Sequence, residues 1–217
     1  MVLVGNPNVG LTTLFNQLTG GILHKSPVDA KEGTVKGHDY TNVIELPGLY
    51  SLSAYSADDI STREILLSGT PDVIVNVVDA TSIERSLYLT LQLMELEVPM
   101  VLALNMMDEV EHNQIDIDLR QLEEELTIPV IPISASKNQG IHDLIHYALE
   151  AARNKTIPRK LDFCSGHVHN AIHAVIHMVE SHACAAGLPL RFSATRLVEG
   201  DSQIQEALKL SEADLDI

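Results

Sequence analysis

Residues 5–12 read Gly5-Asn6-Pro7-Asn8-Val9-Gly10-Leu11-Thr12, directly after the apolar run Val2-Leu3-Val4 and directly before the helix-like Thr13-Leu14-Phe15-Asn16-Gln17-Leu18. Two glycines with four residues between them, set between a strand and a helix, have the spacing and context of a phosphate-binding loop, G-x-x-x-x-G-K-[ST]. Glycine lets backbone N–H groups turn inward around phosphate oxygens, and the following helix adds its positive amino end. Asn8, Val9, Gly10, Leu11, Thr12 and Thr13 are therefore candidate phosphate-site residues, with the Thr12 hydroxyl placed to ligate Mg²⁺. The lysine that normally bridges the outer phosphates is absent: Leu11 neither donates a hydrogen bond nor carries charge. A charge-assisted hydrogen bond contributes about 1.5–3 kcal/mol, so binding is expected to weaken by about one to two orders of magnitude.

Outward from this loop, short apolar segments alternate with amphipathic ones. The strand candidates are Met1–Val4, Asn42–Glu45, Asp72–Val78, Met100–Asn105 and Val130–Ile133. Helical periodicity lies between them, at Gly10–Leu18, Ile60–Leu67, Glu84–Leu96, Asp118–Leu126 and Gly140–Ala152. Nearly continuous apolar strands in such an alternation predict an α/β fold, a mostly parallel sheet with helices on both faces. Ligands in these sheets bind at the carboxyl ends of the strands. The character changes at the polar link Asn154–Pro158. Three helical patterns follow, Gly166–Ala185, Arg191–Val198 and Ser202–Lys209, with Gly187 and Pro189 as a stop and restart. Residues 1–155 are expected to form the α/β domain and 156–217 a small all-α subdomain.

The 217 residues carry a net charge of −16, which argues against nucleic acid as a partner because counterion release needs a basic surface. Hydrophobic residues are 45% of the chain and charged residues 20%, the balance of a globular protein. The longest apolar runs are strand-length, far short of the roughly 20 residues of a membrane helix. No signal-peptide pattern precedes the first strand, so the polypeptide is expected to be soluble and cytoplasmic. Cys164 and Cys184 are too few for a disulfide framework and read as reduced thiols.

Asn105-Met106-Met107-Asp108 follows the strand Val101–Leu104. An aspartate at this place suits guanine, whose N1–H and exocyclic amine form a donor pair that adenine lacks, while the asparagine ties the loop together. Met106 stands where a lysine is usual and offers an apolar cover for the base. Ser134-Ala135-Ser136 follows the next strand, and its backbone N–H groups are expected to meet the guanine O6. Glu45-Leu46-Pro47-Gly48 occupies the place of a D-x-x-G switch. Gly48 can aim its N–H at a γ-phosphate, and Glu45 is expected to reach Mg²⁺ through water. Leu49 and Tyr50 follow instead of a glutamine, so no side chain there orients an attacking water.

With Gly5-Asn6-Pro7-Asn8, Thr13–Gly20, Leu46-Pro47-Gly48 with Tyr50-Ser51-Leu52, Asn76–Ala80, Glu84–Leu93 and Ala103–Met106, the sequence resembles the N-terminal cytosolic region of the ferrous iron transport protein B family. Pro189–Phe192 and Leu197–Asp201 resemble that family's helical subdomain. The resemblance implies a P-loop GTPase-like domain that uses GTP/GDP and Mg²⁺, with a potassium ion held by Asn8. It implies a helical part that tunes nucleotide release. The partners it implies are a membrane iron-transport domain of the same protein and small accessory proteins of iron uptake, at the cytoplasmic face of the bacterial inner membrane. Leu11 and Glu45 depart from the family pattern. So does the first switch, where Ser26-Pro27-Val28-Asp29 precedes Lys31-Glu32-Gly33 and Pro27 stands where a Mg²⁺-closing threonine belongs. Ser26 and Thr34 are the available substitutes. The expectation is a domain that binds GDP at least as well as GTP and hydrolyses GTP slowly or not at all. A competent GTPase with a non-standard switch and a nucleotide-free interaction module are the alternatives.

Five histidines, His167, His169, His173, His177 and His182, crowd the first helix of the C-terminal part. His169, His173 and His177 fall within about 80° of one another on a helix. The i, i+4 spacing is one that metal sites use. Val168, Ile172, Val175 and Val179 form a separate apolar stripe, so the histidines read first as a polar helix face, and one helix alone does not close a metal site.

Overall fold

The computed structural model describes residues 1–21, 30–53, 57–68, 71–159 and 162–211. Six strands form one sheet: β1 (Val2–Gly5), β2 (Lys31–Thr34), β3 (Asn42–Glu45), β4 (Ile74–Asp79), β5 (Met100–Asn105) and β6 (Val130–Pro132), in the order β2-β3-β1-β4-β5-β6. All neighbours are parallel except β2 and β3. The helices are α1 (Leu11–Thr19), α2 (Ala57–Leu67), α3 (Ile83–Met94), α4 (Met107–His112), α5 (Leu119–Leu126), α6 (Ile141–Asn154), α7 (Gly166–Ala186), α8 (Leu190–Val198) and α9 (Ser202–Leu208).

Successive strand residues point to opposite faces, and both faces are covered here. Leu3, Val75, Val77, Val101 and Ala103 pack with Leu14, Phe15 and Leu18 of α1 and Leu144 and Ala148 of α6. Val2, Val4, Ile74, Val78, Leu102 and Leu104 belong to a second core with Leu89 and Leu93 of α3. That second core continues without a break into Val179 and Ala183 of α7, Phe192 and Ala194 of α8, and Ile204 and Leu208 of α9. The C-terminal helices thus share apolar burial with the sheet layer. The sequence boundary at 155/156 falls between α6 and α7.

Charged groups fasten the same contact. Arg63 of α2 meets Asp201 at 2.5 Å, with both side chains nearly inaccessible, and also bonds Gln203. Arg196 of α8 is buried and donates to Ser53 Oγ at 3.1 Å, just beyond the second-switch sequence. Glu95, after α3, accepts from the Thr195 hydroxyl at 2.7 Å. Burial pushes the Glu95 pKa up, against the lowering effects of that hydroxyl and of Arg196 and Arg191.

Two elements have no counterpart in the sequence reading. The strand β2 is a short edge whose first three residues, Lys31, Glu32 and Gly33, have low β propensity, and its pairing with β3 makes it a strand. Helix α4 is a single short stretch that begins inside the N-x-x-D motif, directly after β5, and is opened by Met106 in a left-handed conformation. No helix among the described residues is long and apolar enough to cross a membrane.

Candidate functional site

The loop Gly5–Thr12 joins β1 to α1 at the carboxyl ends of the strands, where the topology places ligands. Its glycines are sterically required. A Cβ on Gly5 would lie 2.4 Å from the Val77 carbonyl oxygen. Gly10 has φ +90°, and a Cβ there would lie 2.4 Å from Asn105 Nδ2. Asn8, at φ 68°, is exposed on the loop, as are Thr12 and Thr13. Val9 and Leu11 are buried in the core beneath α1. Leu11 therefore packs as an apolar residue and brings no cation to the loop.

The second-switch segment closes over this loop. The Leu49 N–H donates to the Gly5 carbonyl at 3.1 Å. A Cβ on Gly48 would come within 2.9 Å of Pro7 Cα, so only glycine lets the two backbones approach this closely.

Asn105 joins the base-side loop to the phosphate loop. Its Nδ2 donates to the Val9 carbonyl at 2.8 Å, and its Oδ1 accepts from the Ala135 N–H at 2.9 Å. Gln17 of α1 donates to the Ala135 carbonyl at 3.2 Å. The expectation for Ser134-Ala135-Ser136 is narrowed here. The Ala135 N–H is engaged by Asn105 and the Ser134 N–H by the Gln139 carbonyl, at 3.1 Å. Asp108, in the first turn of α4, stands beside them. The hydrogen bond from Ser134 and the ammonium of Lys137, 3.5 Å away, hold its carboxyl below the ordinary aspartate range. It is an ionised acceptor at neutral pH. Met106, half-buried, adopts φ 66° at the start of that turn.

Glu45 is buried at the end of β3 and hydrogen-bonds directly to the Thr12 hydroxyl. The residue that the sequence reading did not single out is Lys31. Strand register places it opposite Glu45, and directly opposed side chains share a face. Its Nζ lies 2.9 Å from Thr12 Oγ1 and 3.0 and 3.1 Å from the two Glu45 oxygens. A hydroxyl and a carboxylate are the hard oxygen donors that Mg²⁺ takes at about 2.0–2.1 Å. The donors fit the ion, but an ammonium already bonds both, so an entering ion has to displace it. Thr34 is paired with Asn42 at the far end of β2, away from this pair. Ser26 and Pro27 lie outside the described residues.

Residues 1–148 match the family described as ferrous iron transport protein B. The chain belongs to that family. It is 38% identical over 215 residues to the Fe(2+) transport protein A/Fe(2+) transporter FeoB fusion protein of Porphyromonas gingivalis, covering 94% of this chain and 25% of the relative. It is 44% identical over 152 residues to the Fe(2+) transporter FeoB of Escherichia coli, covering 65% of this chain and 20% of that protein. The chain thus spans a quarter or less of the length of these FeoB relatives. Among solved structures, an S. thermophilus NFeoB mutant bound to mGDP superposes with a TM-score of 0.86 at 34% identity, covering 99% of this chain and 84% of that one. S. thermophilus NFeoB bound to GDP.AlF4- and K+ gives 0.85 at 35% identity, covering 98% and 84%. The six-stranded, mostly parallel sheet is the P-loop GTPase fold of the FeoB G-domain, with its helical part present.

The histidine helix of this FeoB domain carries more than a polar face. Asp162, in the segment before α7, brings Oδ2 to 2.7 Å from His169 Nδ1 and 3.6 Å from His173 Nε2. His177 is exposed, and His182 Nδ1 lies 3.1 Å from the Leu208 carbonyl oxygen. Burial alone would raise the Asp162 pKa. The Cys164 thiol, His169 and Arg191 outweigh it and hold the carboxyl at about 2. Helical periodicity had no means of finding Asp162, which lies off the helix.

Proposed function

We propose that this chain is the guanine-nucleotide-binding domain of a ferrous iron transporter, regulating iron passage at the cytoplasmic face of the bacterial inner membrane. Residues 1–155 form the GTPase-like part and 156–217 the helical regulatory part. The membrane iron-transport domain of the same protein is its partner, with small accessory proteins of iron uptake as further ones. GTP and GDP are its ligands, and Mg²⁺ and K⁺ its ions, with K⁺ at Asn8.

The reading rests on Asn105. Its amide joins the Val9 carbonyl to the Ala135 N–H, so the phosphate loop and the base loop are tied into one cleft with ionised Asp108 at the guanine end. Phosphate binding is weakened because Leu11 packs in the core. Hydrolysis is slow because no side chain after Gly48 replaces a water-orienting glutamine. Lys31 supplies the missing positive charge from the opposite wall: its ammonium, held by Thr12 and Glu45, faces the phosphates where Mg²⁺ otherwise enters.

Calorimetric titration with GDP and with a non-hydrolysable GTP analogue tests this. The expected result is micromolar binding of both, with GDP at least as tight, and GTP turnover very slow or absent. Turnover at the rate of ordinary G-domains would overturn the impaired-hydrolysis reading. Absence of binding by either nucleotide would overturn the nucleotide reading altogether.

A further inference from the structure

Asp162, His169 and His173 converge from two segments on one point. His169 and His173 are one helical turn apart on α7, so their rings rise from the same face. The ring centroids are 4.3 Å apart at a 42° tilt. Asp162 reaches the pair from the chain before the helix, and one ligand atom from each residue lies within 4.8 Å of the other two. Ligand atoms that share one first-row ion at about 2.0–2.2 Å stand about 3.0–3.4 Å from each other. The carboxylate–imidazole separations, 2.7 and 3.6 Å, bracket that range. Closing the site on an ion would also draw the two imidazole nitrogens, now within 4.8 Å of each other, into the same range.

The carboxylate is also held from behind. Its other oxygen, Oδ1, accepts from Arg191 Nη2 at 3.1 Å and from the Cys164 thiol at 3.3 Å. Arg191 is itself nearly buried, packed between Asp162 and Glu95. A ligating carboxylate whose free oxygen is hydrogen-bonded is the supported arrangement that metal sites use. A hydrogen-bonded Asp–His pair alone would need only His169. The second ring, with Nε2 directed at the same oxygen at 3.6 Å and beyond a hydrogen bond, is what a bare pair leaves unexplained.

We propose that Asp162, His169 and His173 bind a divalent first-row transition-metal ion. Two imidazoles and one carboxylate with open positions form the ligand set that suits non-haem Fe²⁺, and water completes the shell. The site is independent of the nucleotide cleft. It lies where the chain enters the helical part, and Arg191 links its carboxylate to Glu95 at the end of α3. An ion there would clip residues 162–165 onto α7.

The test is calorimetric titration of the whole 217-residue chain with Zn²⁺ and, for its absorption bands, Co²⁺. His173→Ala and Asp162→Asn are compared with His146→Ala, a change at an exposed histidine on α6. His173 is itself exposed, so its removal leaves the fold intact, which thermal melting verifies. The expected result is one equivalent bound with a micromolar Kd, weakened about tenfold or more by either cluster substitution and unchanged in His146→Ala. No saturable binding, or binding that His173→Ala and Asp162→Asn leave unchanged, would overturn the assignment and make the cluster a helix-entry hydrogen-bond network only.

Discussion

Replacing Lys31 by Met removes the ammonium that bonds Thr12 and Glu45 while keeping a side chain of similar length. A unit charge about 4 Å from a phosphate oxygen is worth about 1 kcal/mol in bulk water and about 4 kcal/mol at a surface-like dielectric. The Lys31 side chain is 42% exposed. Solvent screening draws the value toward the lower end, to about 1.4 kcal/mol, or tenfold in Kd. The direction also depends on Mg²⁺. In the wild type the ion competes with Lys31 for the same hydroxyl and carboxylate, so chelating Mg²⁺ should change GDP affinity by no more than about threefold, under about 0.7 kcal/mol. In Lys31→Met the oxygens are free for the ion. The variant should bind GDP about tenfold more weakly than wild type in EDTA and recover most of the loss in millimolar Mg²⁺. Isothermal titration of both proteins in both buffers gives four constants. Equal GDP affinity of the two proteins in EDTA would refute the role of Lys31. So would a wild-type affinity that Mg²⁺ raises by much more than tenfold.

Restoring the loop lysine with Leu11→Lys should tighten GDP binding by about ten- to a hundredfold in the same titration, since the aliphatic stem can cover the core position that Leu11 fills. No change would mean that the buried start of α1 keeps the new ammonium away from phosphate. Asp108→Ala should cost about two orders of magnitude in GDP affinity and leave ADP binding as it was. Competition with a fluorescent GDP reads both, and equal losses for the two bases would count against base reading by Asp108. Arg63→Met strands Asp201, whose carboxylate, among the described residues, then keeps the Gln203 and Ile204 N–H groups of α9. Breaking a buried pair from one side costs about 3–5 kcal/mol. The urea midpoint should fall accordingly, and a loss below about 1 kcal/mol would show that the pair does not hold α2 to α9.

Much of this was already legible in local patterns. Strands of two-sided burial, such as Ile74–Asp79 and Met100–Asn105, read as nearly continuous apolar runs. The turn from β1 into α1 read as a phosphate loop from the spacing of its two glycines between a strand and a helix; the structure adds that a Cβ at either would press on the Val77 carbonyl or on Asn105. The role of Asn105 as a tie followed from its place at a strand end. The helices of the C-terminal part followed from their period and from the stop at Gly187, which caps α7 at φ 66°.

What the order of residues fixed was therefore whatever repeats within a turn or a strand, together with motifs whose spacing is set by one turn of backbone. The tertiary structure decided what depends on pairing between distant segments. Lys31 faces Glu45 only because an edge strand of low propensity docks in one register on β3. Asp162, which lies before α7, meets His169 and His173 through contacts that no helical period encodes. The helical part shares a core with the sheet because Phe192, Ile204 and Leu208 find apolar surface beside α3. Propensity and periodicity act over a few residues, whereas register, ion pairing and shared burial are settled by contacts between segments that sequence separation does not reveal.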